Sequence, residues 1–267
     1  QRALRICGLL LLILALCGPG WGYRWQELRS QGLEIIFAID TSKSMMAADI
    51  KPNRLERTKL ALIDFTSRII GNKIGLIAFS GTSFLACPLT LDYGAFAGTL
   101  NSLSVNTIPR GGTAIGAAIA NGRQAFQAAG SGNKIMILIT DGENHEGDPL
   151  AEAKLAAREN ITIYTIGIGS PEGDLIIIKD ENGNTSYLKD RNGNVVKSSL
   201  NEKLLQDIAA ATGGSYLRAT GVSLGLDELY NARFAKLNKK EISSKWQKKY
   251  LDQYQIPLFL AVIILLA

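Results

Sequence analysis

Residues 33–44, with the sequence LEIIFAIDTSKS, join a largely apolar run to a cluster of acidic and hydroxyl side chains. A short apolar run without strict alternation is typical of a strand that is buried on both faces. Asp40, Ser42 and Ser44 follow this run directly. The stretch therefore predicts a central strand of a parallel sheet with polar groups at its carboxyl end.

Similar apolar runs alternate with helical patterns along the rest of the chain. Strands are predicted at 33–39, 73–80, 83–90, 135–140, 161–168 and 215–218, and helices at 55–70, 92–103, 114–129, 150–159 and 200–212. Pro88 predicts an edge position for the strand at 83–90, because proline donates no hydrogen bond to a neighbouring strand. This order predicts an α/β fold, a doubly wound, mainly parallel six-stranded sheet covered on both faces.

Two Asn-Gly pairs, Asn182-Gly183 and Asn192-Gly193, interrupt the alternation. Asn-Gly between extended runs is the strongest local signal for a β-hairpin. We therefore expect a small β-hairpin or meander over residues 171–199, inserted before the last helix of a domain that spans 30–222.

Both ends of the chain are apolar. The run at 6–17 predicts an N-terminal transmembrane helix over 1–22, preferred over a cleaved signal peptide because residues 3–20 are just long enough to span. The run at 256–267 predicts the start of a C-terminal transmembrane helix, and residues 223–255 predict a charged connecting helix. Because the chain begins with Gln1 and stops inside an apolar run, we expect a piece of a larger membrane protein.

Composition excludes several functional classes. The net charge of +5 is concentrated between Arg233 and Lys249, which hold seven basic residues and one acid, so nucleic acid is a poor candidate partner. The single histidine, His145, excludes a histidine-rich metal site, and three cysteines exclude a disulfide framework.

The charges near the two apolar runs give conflicting predictions of membrane orientation. Arg2 and Arg5 predict that the domain faces outward, whereas the basic segment between Arg233 and Lys249 predicts the opposite. Because long domains translocate largely regardless of charge, the short N-terminal flank carries more weight.

Polar side chains follow two of the predicted strands and begin one helix. They are Asp40, Ser42 and Ser44 after the first strand, Thr113 at the start of the helix over 114–129, and Asp141 after the strand at 135–140. Ligands of such sheets bind beyond the carboxyl ends of the strands. Two carboxylates and three hydroxyls form an all-oxygen donor set, which suits Mg²⁺ or Mn²⁺. Two negative charges neutralise one divalent ion and leave it able to bind an outside carboxylate.

This pattern resembles the metal-ion-dependent adhesion site of von Willebrand factor type A domains. Asp40, Ser42, Ser44, Thr113 and Asp141 each match a position of that motif. The resemblance implies that both serines bind the metal directly and that the threonine does so in the ligand-bound state. It also implies that both aspartates act mostly through water, and that a partner's Glu or Asp takes the open position.

A narrower resemblance covers nearly the whole chain. The stretches DTSKSMMAADIKPNRLERTK (40–59), LTLDYGAF (89–96), TDGENHEGDP (140–149) and IYTIGIGSPEGD (163–174) are similar to the Bat aerotolerance proteins of bacteria. This implies a domain between membrane spans in the inner membrane, facing the periplasm. It also implies partners among other Bat-family membrane proteins and, directly or indirectly, a MoxR-type AAA+ ATPase.

The leading hypothesis is a non-enzymatic binding module. One alternative is a metal-assisted hydrolase of phosphate or peptide bonds, although no general base is evident beside Asp40. Another is a structural membrane anchor with a vestigial metal site. Lys43 and Arg110 flank the site and could select an acidic partner or simply be solvated, and Glu143 could contact a partner or a water. His145 is expected to have a surface or loop-packing role.

Overall fold

The computed structural model describes most of the chain. The described residues are 2–16, 20–28, 32–129, 132–179, 185–189, 193–220, 224–234, 245–252 and 255–266. The chain divides into two compact units, one formed by Gln1–Ser30 with Glu241–Ala267 and the other by Gln31–Lys240. The second, larger unit contains all the residues of the predicted metal site.

The larger unit alternates strands and helices, as the apolar patterns predict. In the described residues the strands of the whole chain are β1 (Gly20–Leu28), β2 (Glu34–Asp40), β3 (Lys73–Phe79), β4 (Ser83–Thr90), β5 (Lys134–Thr140), β6 (Ile161–Gly167), β7 (Asp174–Leu175), β8 (Ile177–Lys179), β9 (Thr185–Tyr187), β10 (Lys197–Ser198), β11 (Tyr216–Arg218) and β12 (Lys245–Asp252). The helices are α1 (Arg2–Leu16), α2 (Arg54–Arg68), α3 (Tyr93–Ser102), α4 (Ile115–Ala129), α5 (Pro149–Arg158), α6 (Glu202–Ala211), α7 (Leu226–Leu229) and α8 (Gln255–Leu266). A 3₁₀ helix covers Lys43–Met46, and a π-helical segment covers Tyr230–Phe234.

Six strands form the central sheet in the order β11-β6-β5-β2-β3-β4. All neighbouring pairs are parallel except β3 and β4, which are antiparallel. Strand β4, which contains Pro88, lies at one edge. The predicted six-stranded, mainly parallel sheet is confirmed, and β2 lies in its middle between β5 and β3.

The two faces of the sheet carry separate hydrophobic cores. Along β2, the side chains of Ile35, Phe37 and Ile39 pack on the face covered by α2 and α3. Ile36 and Ala38 pack on the opposite face, against α4, α5 and α6. All seven residues of β2 are buried. A strand between two helical layers needs apolar side chains on both faces, which explains its continuous apolar run.

Residues 174–198 form two short antiparallel strand pairs ahead of α6. Strand β7 pairs with β10, and β8 pairs with β9. They lie within residues 171–199, the stretch predicted from the Asn-Gly pairs, which we call the β-insertion. The first Asn-Gly pair and Asn192 lie outside the described residues, whereas Gly193 has a φ of +85°, a conformation that favours glycine.

The smaller unit differs from the sequence prediction. Strand β1 pairs antiparallel with β12, so the predicted helix over 1–22 is wrong from residue 20 onward. Glycine and proline at residues 18–20 are poor helix formers. Trp21, Tyr23 and Trp25 then alternate at the strand period, and aromatic residues favour strands.

The charged connecting helix predicted over 223–255 is also wrong in part. Helix α7 and the π-helical segment end at Phe234, and Lys245–Asp252 form strand β12. Trp246 and Tyr250 favour a strand, and the antiparallel pairing with β1 satisfies the backbone hydrogen-bonding groups of this segment.

No helix among the described residues has both the length and the apolar character needed to cross a membrane. Helices α1 and α8 contain 15 and 12 residues. The transmembrane helices predicted at the two chain ends are therefore not found in the described part of the chain.

Candidate metal centre at the carboxyl ends of the sheet

Two neighbouring strands end at the predicted metal site. Strand β2 ends at Asp40, and Asp141 follows the last residue of β5. The hydroxyl of Thr140 donates a hydrogen bond of 2.6 Å to Asp40 Oδ2. The side chains of both aspartates are completely buried. Parallel pairing of β2 with β5 thus brings residues from distant parts of the sequence to the same sheet edge.

The loop after β2 folds back onto Asp40. The backbone N–H of Ser42 donates to Asp40 Oδ1 at 2.8 Å, and the hydroxyls of Ser42 and Ser44 lie 2.9 Å apart. The two serines are only 6% and 7% exposed. The Asp-x-Ser-x-Ser spacing therefore brings one carboxylate and two hydroxyls close together within a single short loop.

Thr113 lies in the loop that precedes α4 and is 2% exposed. Its carbonyl accepts a hydrogen bond of 2.9 Å from the backbone N–H of His145, four residues after Asp141. The next residue, Ala114, donates to the carbonyl of Ser80, directly after β3, at 2.7 Å. The backbone thus ties the Thr113 loop to the ends of both β3 and β5, which is where the sequence predicts it.

Arg54 is the main residue that the sequence analysis missed. Its side chain is completely buried, and its Nη1 donates to Ser198 Oγ at 2.7 Å and lies 3.4 Å from Asp141 Oδ2. The rest of its guanidinium makes two hydrogen bonds, of 2.9 and 2.8 Å, to the carboxylate of Asp49. Arg54 is 87 residues from Asp141 and 144 from Ser198. No local spacing in the sequence signals such a contact.

Burial and mutual repulsion oppose ionisation of the carboxylates at this centre. Burial, followed by the nearby charge of Asp141, raises the pKa of Asp40 to about 7, although hydrogen bonds from Ser42 and Thr140 act in the opposite direction. Burial works against ionisation of Asp49 too, but the hydrogen bonds and charge of Arg54 outweigh it and lower the pKa of Asp49. When Asp40, Asp49 and Asp141 are ionised, Arg54 compensates one of three negative charges. A net charge of −2 remains, which matches a divalent cation.

The donor set fits a hard cation held mainly by neutral oxygens. Among the described residues there is no group of three or more His, Cys, Asp and Glu side chains that could hold a metal. The predicted set differs from such a group because it has two carboxylates and three hydroxyls. Buried oxygens with excess negative charge are the environment that Mg²⁺ and Mn²⁺ favour.

Other polar residues line the edge of the centre. Glu143 is partly buried, and burial and the charge of Asp141 raise the pKa of its carboxyl group. Its Oε1 accepts a hydrogen bond of 3.1 Å from the backbone N–H of Ser199. Arg110 forms an exposed ion pair with Glu146, with N–O distances of 2.7 and 2.9 Å. His145 is exposed, in agreement with the surface or loop role expected for it.

Comparison with known proteins now identifies the family. The sequence profile of the von Willebrand factor type A domain matches residues 35–143, from β2 to the loop after β5. The crystal structure of the conserved hypothetical protein BatB from Bacteroides thetaiotaomicron is 37% identical, with a TM-score of 0.71. The similarity covers 77% of this chain and 100% of that one. This chain belongs to the Bat aerotolerance family of von Willebrand factor type A domain proteins.

Other relatives of this Bat-family chain agree with that assignment. An aerotolerance-related membrane protein from Bacteroides fragilis is 36% identical with a TM-score of 0.71, over 77% of this chain and 100% of that chain. A UPF0353 protein from Mycolicibacterium paratuberculosis is 29% identical over 86% of this chain and 68% of that protein. The chain spans 60–68% of the length of the first three curated relatives that it matches.

Two more distant structures share the fold alone. Proximal thread matrix protein 1 from the mussel byssus, with a zinc-occupied MIDAS motif, is 19% identical with a TM-score of 0.54, over 82% of this chain and 48% of that one. The manganese-loaded TRAP protein from Plasmodium vivax is 15% identical with a TM-score of 0.52, over 85% of this chain and 80% of that one.

Proposed function

We propose that this Bat-family chain is a non-enzymatic binding module that holds one Mg²⁺ or Mn²⁺ and docks a carboxylate of a partner protein. The observation that carries the proposal is the buried pair Asp40 and Asp141, set beside the paired hydroxyls of Ser42 and Ser44. Two buried carboxylates of like charge destabilise each other, and the guanidinium of Arg54, 3.4 Å from Asp141 Oδ2, compensates one of the three negative charges at this centre. A divalent cation would balance the remaining two. The zinc-occupied MIDAS motif named for the byssus protein, and the manganese named for the TRAP protein, support the choice of a divalent cation.

Each residue of the proposed site has a distinct task. Ser42, Ser44 and Thr113 supply neutral hydroxyl oxygens, while Asp40 and Asp141 supply the compensating charge. A divalent cation bound there would supply Lewis acidity toward a carboxylate from outside. Because three of the five ligands carry no charge, that cation keeps enough positive charge to attract a Glu or Asp of the partner.

The exposed surroundings of the site suit an acidic partner. Lys43 lies between the two serines and is exposed, and Arg110 is 64% exposed at the adjacent loop. Positive charges around an interface accelerate the encounter with an acidic surface and discourage basic ones. Glu146 pairs with Arg110 and limits this effect, so Lys43 contributes the larger share.

The proposed setting is the bacterial inner membrane, with the domain on the periplasmic side. The support for a membrane setting is the membrane description of the Bacteroides fragilis relative. The proposed partners are other Bat-family membrane proteins. A MoxR-type AAA+ ATPase would act directly or, because it is expected in the cytoplasm, through those proteins.

Metal binding is the first test. Isothermal titration of the metal-free full chain with Mg²⁺ and with Mn²⁺ should give one saturable site. Asp40→Ala and Ser42→Ala should abolish or strongly weaken it. Ser67→Ala is the matched control, because Ser67 is exposed on α2, away from the strand ends. No saturable binding by the unmodified chain would overturn the proposal.

Docking is the second test. The tagged full-length protein would be captured from native bacterial membranes with Mg²⁺, with a chelator, and as the Asp40→Ala variant, with proteins identified by mass spectrometry. A Bat-family partner recovered only with Mg²⁺ and an intact Asp40 is the expected result. Its acidic surface residues would then be replaced one at a time by the corresponding amides. Equal recovery in all three samples would show that the metal site is not the docking surface.

A further inference from the structure

The end of the β-insertion and the residues that follow it are bonded to the loop that carries Asp141. The hydroxyl of Ser198 donates to Asp141 Oδ2 at 2.9 Å. The backbone N–H of Asn201 donates to the carbonyl of Asp141 at 2.8 Å, and that of Ser199 donates to Glu143 Oε1 at 3.1 Å. Three successive bonds thus fix the side chain and the backbone of the Asp141–Glu143 loop.

The ion pair between the buried Arg54 and the partly exposed Asp49 holds both ends of the β-insertion. At its exit, Arg54 Nη1 donates to Ser198 Oγ at 2.7 Å, and this hydroxyl then donates onward to Asp141. At its entrance, the backbone N–H of Ser170 donates to Asp49 Oδ2 at 2.9 Å. Asp49 is the partner of the Arg54 guanidinium, at 2.8 Å. The insertion therefore begins and ends on the same charge pair.

The space around Arg54 is shaped to admit its guanidinium. Gly169 has a φ of +128°, and a Cβ at that position would lie 2.7 Å from Arg54 Cζ and Nη2. A buried arginine is costly unless its donors are paired, and here its fork is bidentate on Asp49. The same guanidinium contacts Asp49, Ser198 and Asp141, which are far apart in the sequence, so it links the loop after β2, the end of the β-insertion and the loop after β5.

We propose that Arg54 and Ser198 are positioning residues of the metal centre, and that the β-insertion serves to hold Asp141 and Glu143 in place before the metal arrives. Arg54 fixes the Ser198 hydroxyl, and Ser198 fixes one oxygen of the Asp141 carboxylate. The other oxygen, Oδ1, stays bonded to the backbone N–H of Glu143 at 3.1 Å. The part of this inference that concerns metal affinity rests on the proposed function.

A metal-free measurement tests the positioning itself. Backbone amide hydrogen exchange of Glu143 and Ser199 would be followed by NMR in the metal-free full chain and in Ser198→Ala. We expect exchange at the Glu143 amide to accelerate at least about fivefold, because its acceptor carboxylate loses a hydrogen bond. Ser186→Ala is the matched control, since Ser186 is an exposed serine in the same β-insertion. Unchanged exchange in Ser198→Ala overturns the inference, whether or not the chain binds metal.

Metal affinity is the second readout. Loss of a group that orients a metal ligand typically weakens metal binding about 10–100-fold. We expect Ser198→Ala and Arg54→Lys to weaken Mg²⁺ binding within this range, because lysine keeps the charge but not the planar fork. Arg68→Lys, at the exposed end of α2, is the control for the arginine change. Unaltered Mg²⁺ affinity in both variants would mean that Arg54 and Ser198 do not position the metal ligands.

The two readouts separate the two proposals. If the unmodified chain binds no Mg²⁺ but Ser198→Ala still accelerates exchange at Glu143, the proposed function fails and the positioning stands. If the unmodified chain binds Mg²⁺, both variants match it in affinity and Ser198→Ala matches it in exchange, the positioning fails and the proposed function stands.

Discussion

At the scale of single residues, the chemistry of the centre depends on two buried carboxylates that interact unfavourably. Asp40 and Asp141 have no exposed surface, and Thr140, Ser42 and Ser198 supply the hydrogen bonds that make their ionisation tolerable. Even with these bonds, burial and the charge of Asp141 raise the pKa of Asp40 to about 7. At the proposed metal site, a proton and the metal would therefore compete for the same carboxylate near neutral pH.

This competition predicts a pH dependence of Mg²⁺ binding. Above pH 7 Asp40 is largely ionised in the metal-free chain, so the affinity should level off. As the pH falls below 7, a proton must leave before metal binds, and the dissociation constant should rise by up to about tenfold per pH unit. Isothermal titration at several pH values between 6 and 8 measures this.

The single histidine provides the control for this experiment. His145 lies on the loop beside the site, where its backbone N–H donates to the carbonyl of Thr113 at 2.9 Å. In His145→Gln the pH dependence should persist, because the competing proton belongs to Asp40. A dissociation constant that no longer varies with pH in this variant would mean that the competing proton does not belong to Asp40.

Gly169 allows a second prediction at the same scale. Gly169→Ala combines backbone strain at a φ of +128° with a Cβ 2.7 Å from the Arg54 guanidinium. We expect it to lower the free energy of unfolding by about 2 kcal/mol or more. Gly213→Ala meets nothing within 4 Å at a φ of +71°, so it should cost only about 1 kcal/mol. Equal losses in urea-induced unfolding of the two variants would contradict the proposed close approach to Arg54.

Residues of the site that lie close together in the sequence were predicted, whereas two residues whose contacts lie far apart in it were missed. Asp40, Ser42 and Ser44 were predicted together because their spacing places them in one loop, and the structure brings their side chains into contact. Arg54 and Ser198 were missed because their contacts with Asp141 depend on how α2 and the β-insertion pack. That packing has no local trace in the sequence.

At the scale of elements, helix α4 shows how composition predicts packing distance. The sequence of α4 is rich in glycine and alanine, and a Cβ on its buried Gly122 would lie 3.0 Å from Met136 Cε on β5. Gly122→Val should therefore destabilise the fold by about 1–3 kcal/mol through overpacking. Gly98→Val is the matched control, because Gly98 in α3 meets nothing within 4 Å. It should change stability by no more than about 0.5 kcal/mol.

A thermal and urea unfolding series of these two variants would check the prediction. Equal stability of both variants would mean that Met136 moves aside, since its flexible side chain is the nearest neighbour. The experiment therefore distinguishes a tightly packed helix–sheet contact from one that adapts.

The helices and strands of the larger unit were predicted to within a few residues because their apolar runs are long and bounded by capping residues. Asp92, for example, begins α3 by accepting a hydrogen bond from the backbone N–H of Ala95. The prediction failed at Lys245–Asp252, where a charged segment forms a strand. Its pairing partner, β1, lies more than 200 residues earlier in the chain. Strand pairing over such a separation is not visible in local periodicity.

At the scale of the whole molecule, the von Willebrand factor type A unit contains every element that the proposed site needs. Both hydrophobic cores lie between Leu33 and Phe234, and so do the five predicted ligands and the Arg54 network. The Bacteroides thetaiotaomicron BatB structure aligns along its entire length with 77% of this chain.

A fragment from Gly32 to Phe234 should therefore fold without the chain ends. Its thermal unfolding should be cooperative, and its Mg²⁺ dissociation constant should lie within about twofold of that of the full chain, a difference below about 0.5 kcal/mol. Circular dichroism and isothermal titration would measure the two quantities. A folded fragment with much weaker Mg²⁺ binding would mean that residues of the smaller unit contribute to the centre, and the five-residue donor set would then be incomplete.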